Sequence, residues 1–321
     1  MPGIGVITNP RSRQNLRDPA SMRRLGYLIG SRGEAAATGS LDDLYRVAEE
    51  FKKASIDILG INGGDGTIHH TLTAFIKAYG EQPLPQVAIL RGGTMNTIAN
   101  SLGIKGDPAK LLFELVDKYH QNDPFEVIEK EVLAIGDAYG FIFGTGLTAN
   151  FLEAYYKTGK ASPSTAAKLL LRAIFSSLVD GKLAREITKR FHARVVVDGD
   201  VWARDDFMTV TASTIEQIGL GFRPFYRCNE KPAHFALLGI HTPTPLGVAG
   251  ELARVFRGRP MRRDKVIDSI AREVFFECDG QPGYTIDGDI YKIQGRLRLA
   301  TGPKLQLIRL NSRLLEERNQ R

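Results

Sequence analysis

The sequence predicts a doubly wound α/β domain followed by an antiparallel β domain decorated by helices. Three observations carry that expectation. In the first third of the 321 residues, short apolar runs are each followed by a turn and then by an amphipathic stretch, the grammar of parallel strands joined by crossover helices. After about Asn122 the pattern changes to β-rich runs, with Asp-Gly pairs at 198–199 and 287–288, the two-residue hairpin signal. The composition, 43% hydrophobic and 25% charged, is that of a globular chain and excludes a disordered, collagen-like or low-complexity one. The length suits two domains, expected at 1–124 and 125–321.

The elements follow in order. Residues 5–8 form a short apolar strand that ends at Asn9-Pro10. Ser40 with Asp43 three residues later resembles a capping box and opens a helix with Leu44, Val47, Ala48 and Phe51 on one face. Residues 56–61 are a near-continuous apolar run of the buried parallel type. A glycine-rich turn at 63–67 leads into a helix whose stripe is Ile68, Leu72, Phe75, Ile76 and Tyr79. Another buried strand at 87–90 precedes Gly92-Gly93-Thr94 and a helix stopped at Gly103. Asp107-Pro108 starts one more helix, carrying Leu111, Leu112, Leu115, Val116 and Tyr119. In the second half, 127–135 and 139–143 read as a hairpin, 272–310 is almost all strand and turn, and helical stretches are expected near 165–179 and 248–257.

Charge and cysteine content narrow the setting. The net charge of +7 is uneven: residues 160–194 hold eight Lys/Arg against two acids, and residues 251–265 hold six against two. Such windows suit phosphate-bearing ligands, an anionic membrane surface or nucleic acid, although no nucleic-acid recognition motif accompanies them. Two cysteines, Cys228 and Cys278, cannot build a disulfide framework or a four-cysteine zinc site and fit a reducing compartment. The start lacks a basic region followed by an apolar stretch, and no run reaches the roughly 20 apolar residues of a spanning helix. The expectation is a cytoplasmic protein.

The strongest chemical signal is Gly63-Gly64-Asp65-Gly66-Thr67 between a buried strand and an amphipathic helix. Glycines there let backbone N–H groups approach a polyphosphate, and the helix that follows offers its positive end. Asp65 is unusual beside phosphate unless a cation or a ribose hydroxyl lies between; the plain alternative is a carboxylate that caps a helix. Arg91-Gly92-Gly93-Thr94-Met95-Asn96 is a second turn of similar design. Asn9-Pro10-Arg11-Ser12 ends the first strand, so three loops converge at the carboxyl edge of the sheet, where ligands of such folds bind. There is no GxxxxGK[ST] and no GxGxxG after the first strand, which excludes a P-loop enzyme and argues against a dinucleotide Rossmann domain. His69-His70 points to different helix faces, and the stripe Leu169, Leu170, Ala173, Ile174 and Leu178 with Lys168 and Arg172 packs either on the core or on lipid. Trp202 fits a core or cleft wall.

These motifs resemble the diacylglycerol kinase catalytic-domain family, which includes bacterial lipid kinases, sphingosine kinases and ceramide kinases. The resemblance rests on Asn9 to Ser12, on Gly63 to Thr67, on Gly93-Thr94-Met95-Asn96 with Ala99-Asn100-Ser101-Leu102-Gly103, and on Ile286-Asp287-Gly288-Asp289 near the end. It implies an α/β nucleotide domain, a β-sandwich lipid domain, ATP and Mg2+, and phosphoryl transfer to a membrane lipid. It also implies that Asn9, Pro10, Arg11, Ser12, Arg13, Thr38, Gly63, Gly64, Asp65, Gly66, Thr67, Gly93, Thr94 and Asn96 hold the nucleotide. Asp65 would sit beside the magnesium-nucleotide, and Asp289 would take the proton from the lipid hydroxyl; both are the expected catalytic residues. The sequence departs from the family at Arg13, where a glycine is frequent, at Met95, and at Asp289, where Glu is usual. Lys231-Pro232-Ala233 stands where some bacterial members carry an acidic pair for a structural magnesium. The acceptor stays open among diacylglycerol, ceramide and a sphingoid base. An NAD-kinase-type enzyme and an inactive lipid- or nucleotide-binding protein are the alternatives. Peripheral attachment to the inner face of the membrane through the basic segments, with Arg259, Arg262 and Arg263 as its core, completes the expectation.

Overall fold

The computed structural model describes residues 3–12, 15, 33–159, 162–278 and 280–311. They form two compact units: the described residues of Met1–Lys130 with Pro303–Arg321, and those of Glu131–Gly302.

In the first unit β1 (Ile4–Thr8) is buried along its whole length, and β2 (Gly33–Ala37) follows. Helix α1 (Leu41–Lys53) starts where Ser40 accepts the Asp43 amide at 3.1 Å and buries the expected Leu44, Val47, Ala48 and Phe51. Strand β3 (Ile58–Asn62), helix α2 (Asp65–Tyr79), strand β4 (Gln86–Ile89) and helix α3 (Thr97–Ser101) alternate as the sequence predicts. Helix α4 (Pro108–Gln121) is capped by Asp107 and stopped by Asn122 in the left-handed region at φ 56°. Strand β5 (Val127–Ile135) then leads out of the unit. β1 pairs with β2 on one side and β3 on the other, β3 with β4, and residues 307–308 with Val87 and Ala88, all parallel. The strand order therefore reverses direction at β1/β3. Apolar side chains on both faces of these strands explain their unbroken hydrophobic runs.

The second unit is built from two sheets. Strands β6 (Ala138–Gly140), β7 (Ile142–Thr145), β8 (Phe191–Val197), β9 (Asp200–Val201), β10 (Asp206–Phe207), β11 (Thr209–Ser213), β12 (Phe235–Ile240), β13 (Val266–Ala271), β14 (Glu273–Cys278), β15 (Gly283–Ile286), β16 (Asp289–Lys292) and β17 (Arg296–Ile308) supply them. One sheet runs β13-β12-β11-β7-β15-β16, all antiparallel. The other holds β10-β8-β14 and the first half of β17. A single core joins their inner faces, with Phe143, Val210, Leu237 and Ile286 from one and Val195, Val274, Phe276 and Leu299 from the other. Alternating inward residues from two sheets around one core make a sandwich. Helices α5 (Leu147–Lys157), α6 (Pro163–Leu178), α7 (Lys182–Ile187), α8 (Pro245–Ala249) and α9 (Leu252–Phe256) decorate it.

Three differences from the sequence expectation have physical causes. The last stretch does not stay with the β-rich half: from Pro303 the chain belongs to the first unit. β17 is one continuous strand, so no turn marks the change of partner. The expected hairpin exists as β5 and β6, with Ile135 opposite Ala138, but its second strand is split, and β7 pairs in the other sheet. Helix α5 escaped prediction because its N-terminus is Gly146 at φ 53°, without a capping side chain. Both Asp-Gly pairs close hairpins as expected, Val197 facing Asp200 and Ile286 facing Asp289. Trp202 is half-buried against the sandwich core, 5.8 Å from Phe207. Both cysteines are free, Cys228 buried and Cys278 half-buried. No helix among the described residues is long and apolar enough to cross a membrane.

Phe276 is fully buried and its ring lies 5.4 Å from that of Phe143 across the sandwich. Phe276→Ala is expected to cost about 3–5 kcal/mol by lost burial and the cavity left behind; urea denaturation of the variant against the parent checks it.

Candidate functional site

The carboxyl ends of β1, β2, β3 and β4 open into four loops, and the reversal of strand order at β1/β3 makes a crevice between the first and third. The Asn9 amide extends the ladder by donating to the Asn62 carbonyl at 3.1 Å. Its side chain then does two things. Oδ1 accepts the Arg11 amide at 2.9 Å, which shapes the Asn9-Pro10-Arg11-Ser12 turn, and Nδ2 donates to Thr67 Oγ1 at 3.0 Å across the crevice. Ser12 Oγ donates to the Gly92 carbonyl at 3.0 Å. Thr38 is buried beside the end of β1, its amide on the Thr8 carbonyl at 3.1 Å. Arg13 lies outside the described residues.

The two glycine loops lie backbone to backbone: a Cβ on Gly93 would overlap the Gly64 Cα, and one on Gly92 would overlap Asn62 Oδ1. Asp65 locks them together. Its carboxylate accepts the Thr97 amide and the Ile98 amide, each at 3.0 Å. It belongs to α2 in sequence and caps α3 in space. Burial raises its carboxyl above the ordinary carboxylate value, while the two amides pull the other way. Asn96, left-handed at φ 48°, closes the second loop on Gly93 through bonds of 3.1 and 2.9 Å. Arg91, left-handed at φ 57°, ties the same loop to Asn100 and to the Ile104 carbonyl, both at 2.7 Å.

The first α-helical bond of α2 runs from the Ile68 amide to the Gly64 carbonyl. The amides of Asp65, Gly66 and Thr67 thus have no acceptor within the helix. In α3 the corresponding amides are taken by Asp65; in α2 they line the loop. A 15-residue helix with such an N-terminus after a glycine turn has the geometry that can accept an anion. Most of the expected nucleotide residues meet here: Asn9, Pro10, Arg11 and Ser12, then Gly63 through Thr67, then Gly93, Thr94 and Asn96.

Sequence reasoning missed the asparagines beneath the loops. Asn15 and Asn62 are buried; Asn62 donates to Asn15 at 3.3 Å, and Asn15 donates to the Asn9 carbonyl at 2.8 Å. Asn62, a polar residue ending an apolar strand, was the available signal. His69 is buried in the first turn of α2 and its ring centroid lies 4.5 Å from that of His70. Adjacent positions on a helix diverge at Cα, yet here the rings meet.

In the second unit, Asp289 starts β16 just beyond the Asp287-Gly288 turn. Both turn residues have positive φ, 48° and 100°, which fits a hairpin of the primed type. Asp287 is the buried anchor: its carboxylate accepts the Phe141 amide at 3.0 Å and the Ile142 amide at 2.8 Å. The Tyr156 hydroxyl holds the Gly288 carbonyl at 2.8 Å. Burial, reinforced by the Asp289 charge, pushes the Tyr291 hydroxyl well above its ordinary range. Asp289 itself is half-buried on this fixed turn.

The basic segment is built around one buried acid. Glu251 is buried and gathers Lys265 at 3.1 Å and Arg254 and Arg262 at 3.6 Å. Arg262 pairs with Glu251 while staying exposed, as Arg259 and Arg263 are. The α6 stripe also divides: Leu169 is buried and Leu178 exposed.

A doubly wound unit with paired glycine loops, and a β-sandwich carrying a fixed acidic hairpin, are the features to set beside known proteins. Residues 3–127 match the family model of the diacylglycerol kinase catalytic domain. Probable lipid kinase YegS of Escherichia coli O127:H6 is 33% identical over 106 residues, 32% of this chain and 34% of that protein. The protein of the same name from Shigella flexneri matches equally. The matched stretch thus spans about a third of these relatives. The crystal structure of a diacylglycerol kinase from Bacillus anthracis aligns over 96% of both chains with a TM-score of 0.64 and 15% identity, which shows a shared two-domain fold.

Because the Asp65 carboxyl is raised above 3.8 in the folded protein, the native state keeps a proton that the unfolded chain has released just above that pH. Its contribution to stability therefore falls as pH rises through that window. Asp65→Asn, which does not titrate, is expected to lose less stability than the parent as pH rises from about 4. Urea midpoints of both proteins across that range test it, and parallel curves would remove the titrating carboxyl from the account.

Proposed function

We propose that this protein is an ATP-dependent lipid kinase. The observation that carries the reading is the α2 cradle: free first-turn amides on a glycine loop, braced through Asp65 against a second glycine loop. ATP phosphates would lie on the amides of Asp65, Gly66 and Thr67, with Asn9 to Ser12 and Thr94 beside them and Thr38 further along the same sheet edge. Both Asp65 oxygens already accept amides, so magnesium would arrive with the phosphates and neutralise the charge that develops on them. The acceptor hydroxyl attacks the γ-phosphorus; the new O–P bond forms as the bond to the β-phosphate oxygen breaks and ADP leaves. Asp289 takes the hydroxyl proton. A shorter carboxylate than the family's Glu serves this role on a hairpin that Asp287 and Tyr156 hold in place.

The acceptor is a membrane lipid: diacylglycerol, ceramide or a sphingoid base. The family match and the names of the relatives support lipid as its class. Access to such an acceptor would be helped by attachment to the membrane face, to which the exposed Arg259 and Arg263 would contribute about 1 kcal/mol each on an anionic leaflet.

Incubation with labelled ATP, magnesium and a panel of these lipids, with NAD included, tests the reading. Labelled lipid is the expected product. Labelled NAD would point to an NAD kinase, and no transfer to a binding protein without turnover. Asp289→Asn is expected to cut turnover by about 10²–10⁴-fold, while Asp289→Glu, which keeps a carboxylate, loses far less. Equal losses in the two variants, measured as initial rates, would make Asp289 a packed turn residue.

A further inference from the structure

We propose that the outer face of α6 inserts into an anionic bilayer leaflet. The helix is set by Ser162, which accepts the Thr165 amide at 3.1 Å, and by Pro163 at its first position. Its inner side buries Ala166, Leu169 and Ser177. The outer side should then be polar, and it is not. Leu171, Phe175, Leu178 and the following Val179 are 54%, 67%, 60% and 78% exposed. At about 100° per residue these positions fall with Lys168 and Arg172 inside one arc of about 120°. Both cations are exposed, and the helix contains no acid.

Apolar side chains and cations on the same arc fit a leaflet in which Leu and Phe enter the acyl boundary while Lys and Arg reach up to lipid phosphates. A second copy of the chain fits poorly, since packing this face on itself would bring Lys168 and Arg172 against their own counterparts without an acid on α6 to pair them. The acids beyond the helix are engaged locally, Asp180 with Arg185 at 4.0 Å and Glu186 with Lys182 at 3.8 Å. The surface continues past α6. It packs against α8 and the turn at 219–221, where Leu246 is 49% exposed, and Phe222 beyond the turn meets the exposed Phe256 edge-on at 5.6 Å. The purpose of such a face rests on the lipid-kinase reading; its existence does not.

The test uses vesicles of equal parts phosphatidylglycerol and phosphatidylcholine, with pure phosphatidylcholine alongside. Phe175→Ser with Leu178→Ser is expected to lower sedimentation with both vesicles by about tenfold or more, the scale of losing two buried apolar side chains. Lys168→Gln with Arg172→Gln is expected to lower it several-fold on the anionic vesicles alone. Phe175→Trp, which keeps the apolar face, is expected to show new fluorescence quenched by lipids brominated on the acyl chains, beyond the contribution of Trp202. Unchanged sedimentation of the serine variant overturns the proposal, as does added fluorescence in Phe175→Trp that the brominated lipids leave unquenched. So does light scattering that finds a dimer in the parent and a monomer in the serine variant without vesicles. Transfer to a detergent-dispersed short-chain acceptor should survive both double substitutions. If no variant transfers phosphate but quenching is seen, the kinase reading fails and the membrane face stands.

Discussion

Two hydrogen bonds from the amides of Thr97 and Ile98 to the Asp65 carboxylate fix the candidate site. They join the start of α2 to the start of α3, and so one glycine loop to the other. With them in place, Gly93 lies so close to the Gly64 backbone that a side chain on Gly93 would not fit. Two N-terminal amides of α3 are consumed in the process, while those at the start of α2 have no acceptor within their helix. A negative charge at a helix N-terminus is favourable, while its burial is not; the raised carboxyl records which effect is larger. Asp65 is thus a brace for the cradle before it is anything else.

The hairpin that carries Asp289 repeats this logic in the second unit. A buried carboxylate, Asp287, accepts two backbone amides from the segment that follows β6, and Tyr156 holds the turn from the helical side. In both places an acid that looks chemical in the sequence performs a structural task, and its neighbour is left presented. The pair Asp287 and Asp289 divides these duties within three residues. Under the proposed function, a fixed backbone would let this short carboxylate be placed for proton transfer, since reach lost in the side chain must be recovered in the turn.

The charge pattern and the apolar pattern were also divided by the fold. Six cations in one basic window look like a single surface, but three of them pair with buried Glu251, and Lys265 is drawn largely out of solvent by it. A buried acid needs such partners, and nothing in the local sequence shows that Glu251 is buried. Conversely, α6 looks like an ordinary amphipathic helix in its sequence, whereas its neighbours cover one side and leave Leu171, Phe175 and Leu178 in solvent.

The sequence by itself determined the alternation of strand and helix in the first unit, the caps Ser40 and Asp107, both Asp-Gly hairpins and the two glycine loops. Each of these is set by interactions within a few residues: a side chain on a nearby amide, a positive φ, an apolar period. Tertiary structure decided the rest. It sent the end of β17 back to the first unit as a parallel neighbour of β4, because pairing partners are chosen across the whole chain. It buried Asn15 and Asn62 beneath the loops and turned Asp65 from a loop acid into a cap on another helix, 32 residues away in sequence. It also chose which cations of the basic segment stay in solvent. Burial and long-range amide partners decide these matters, and neither is carried by the local order of residues.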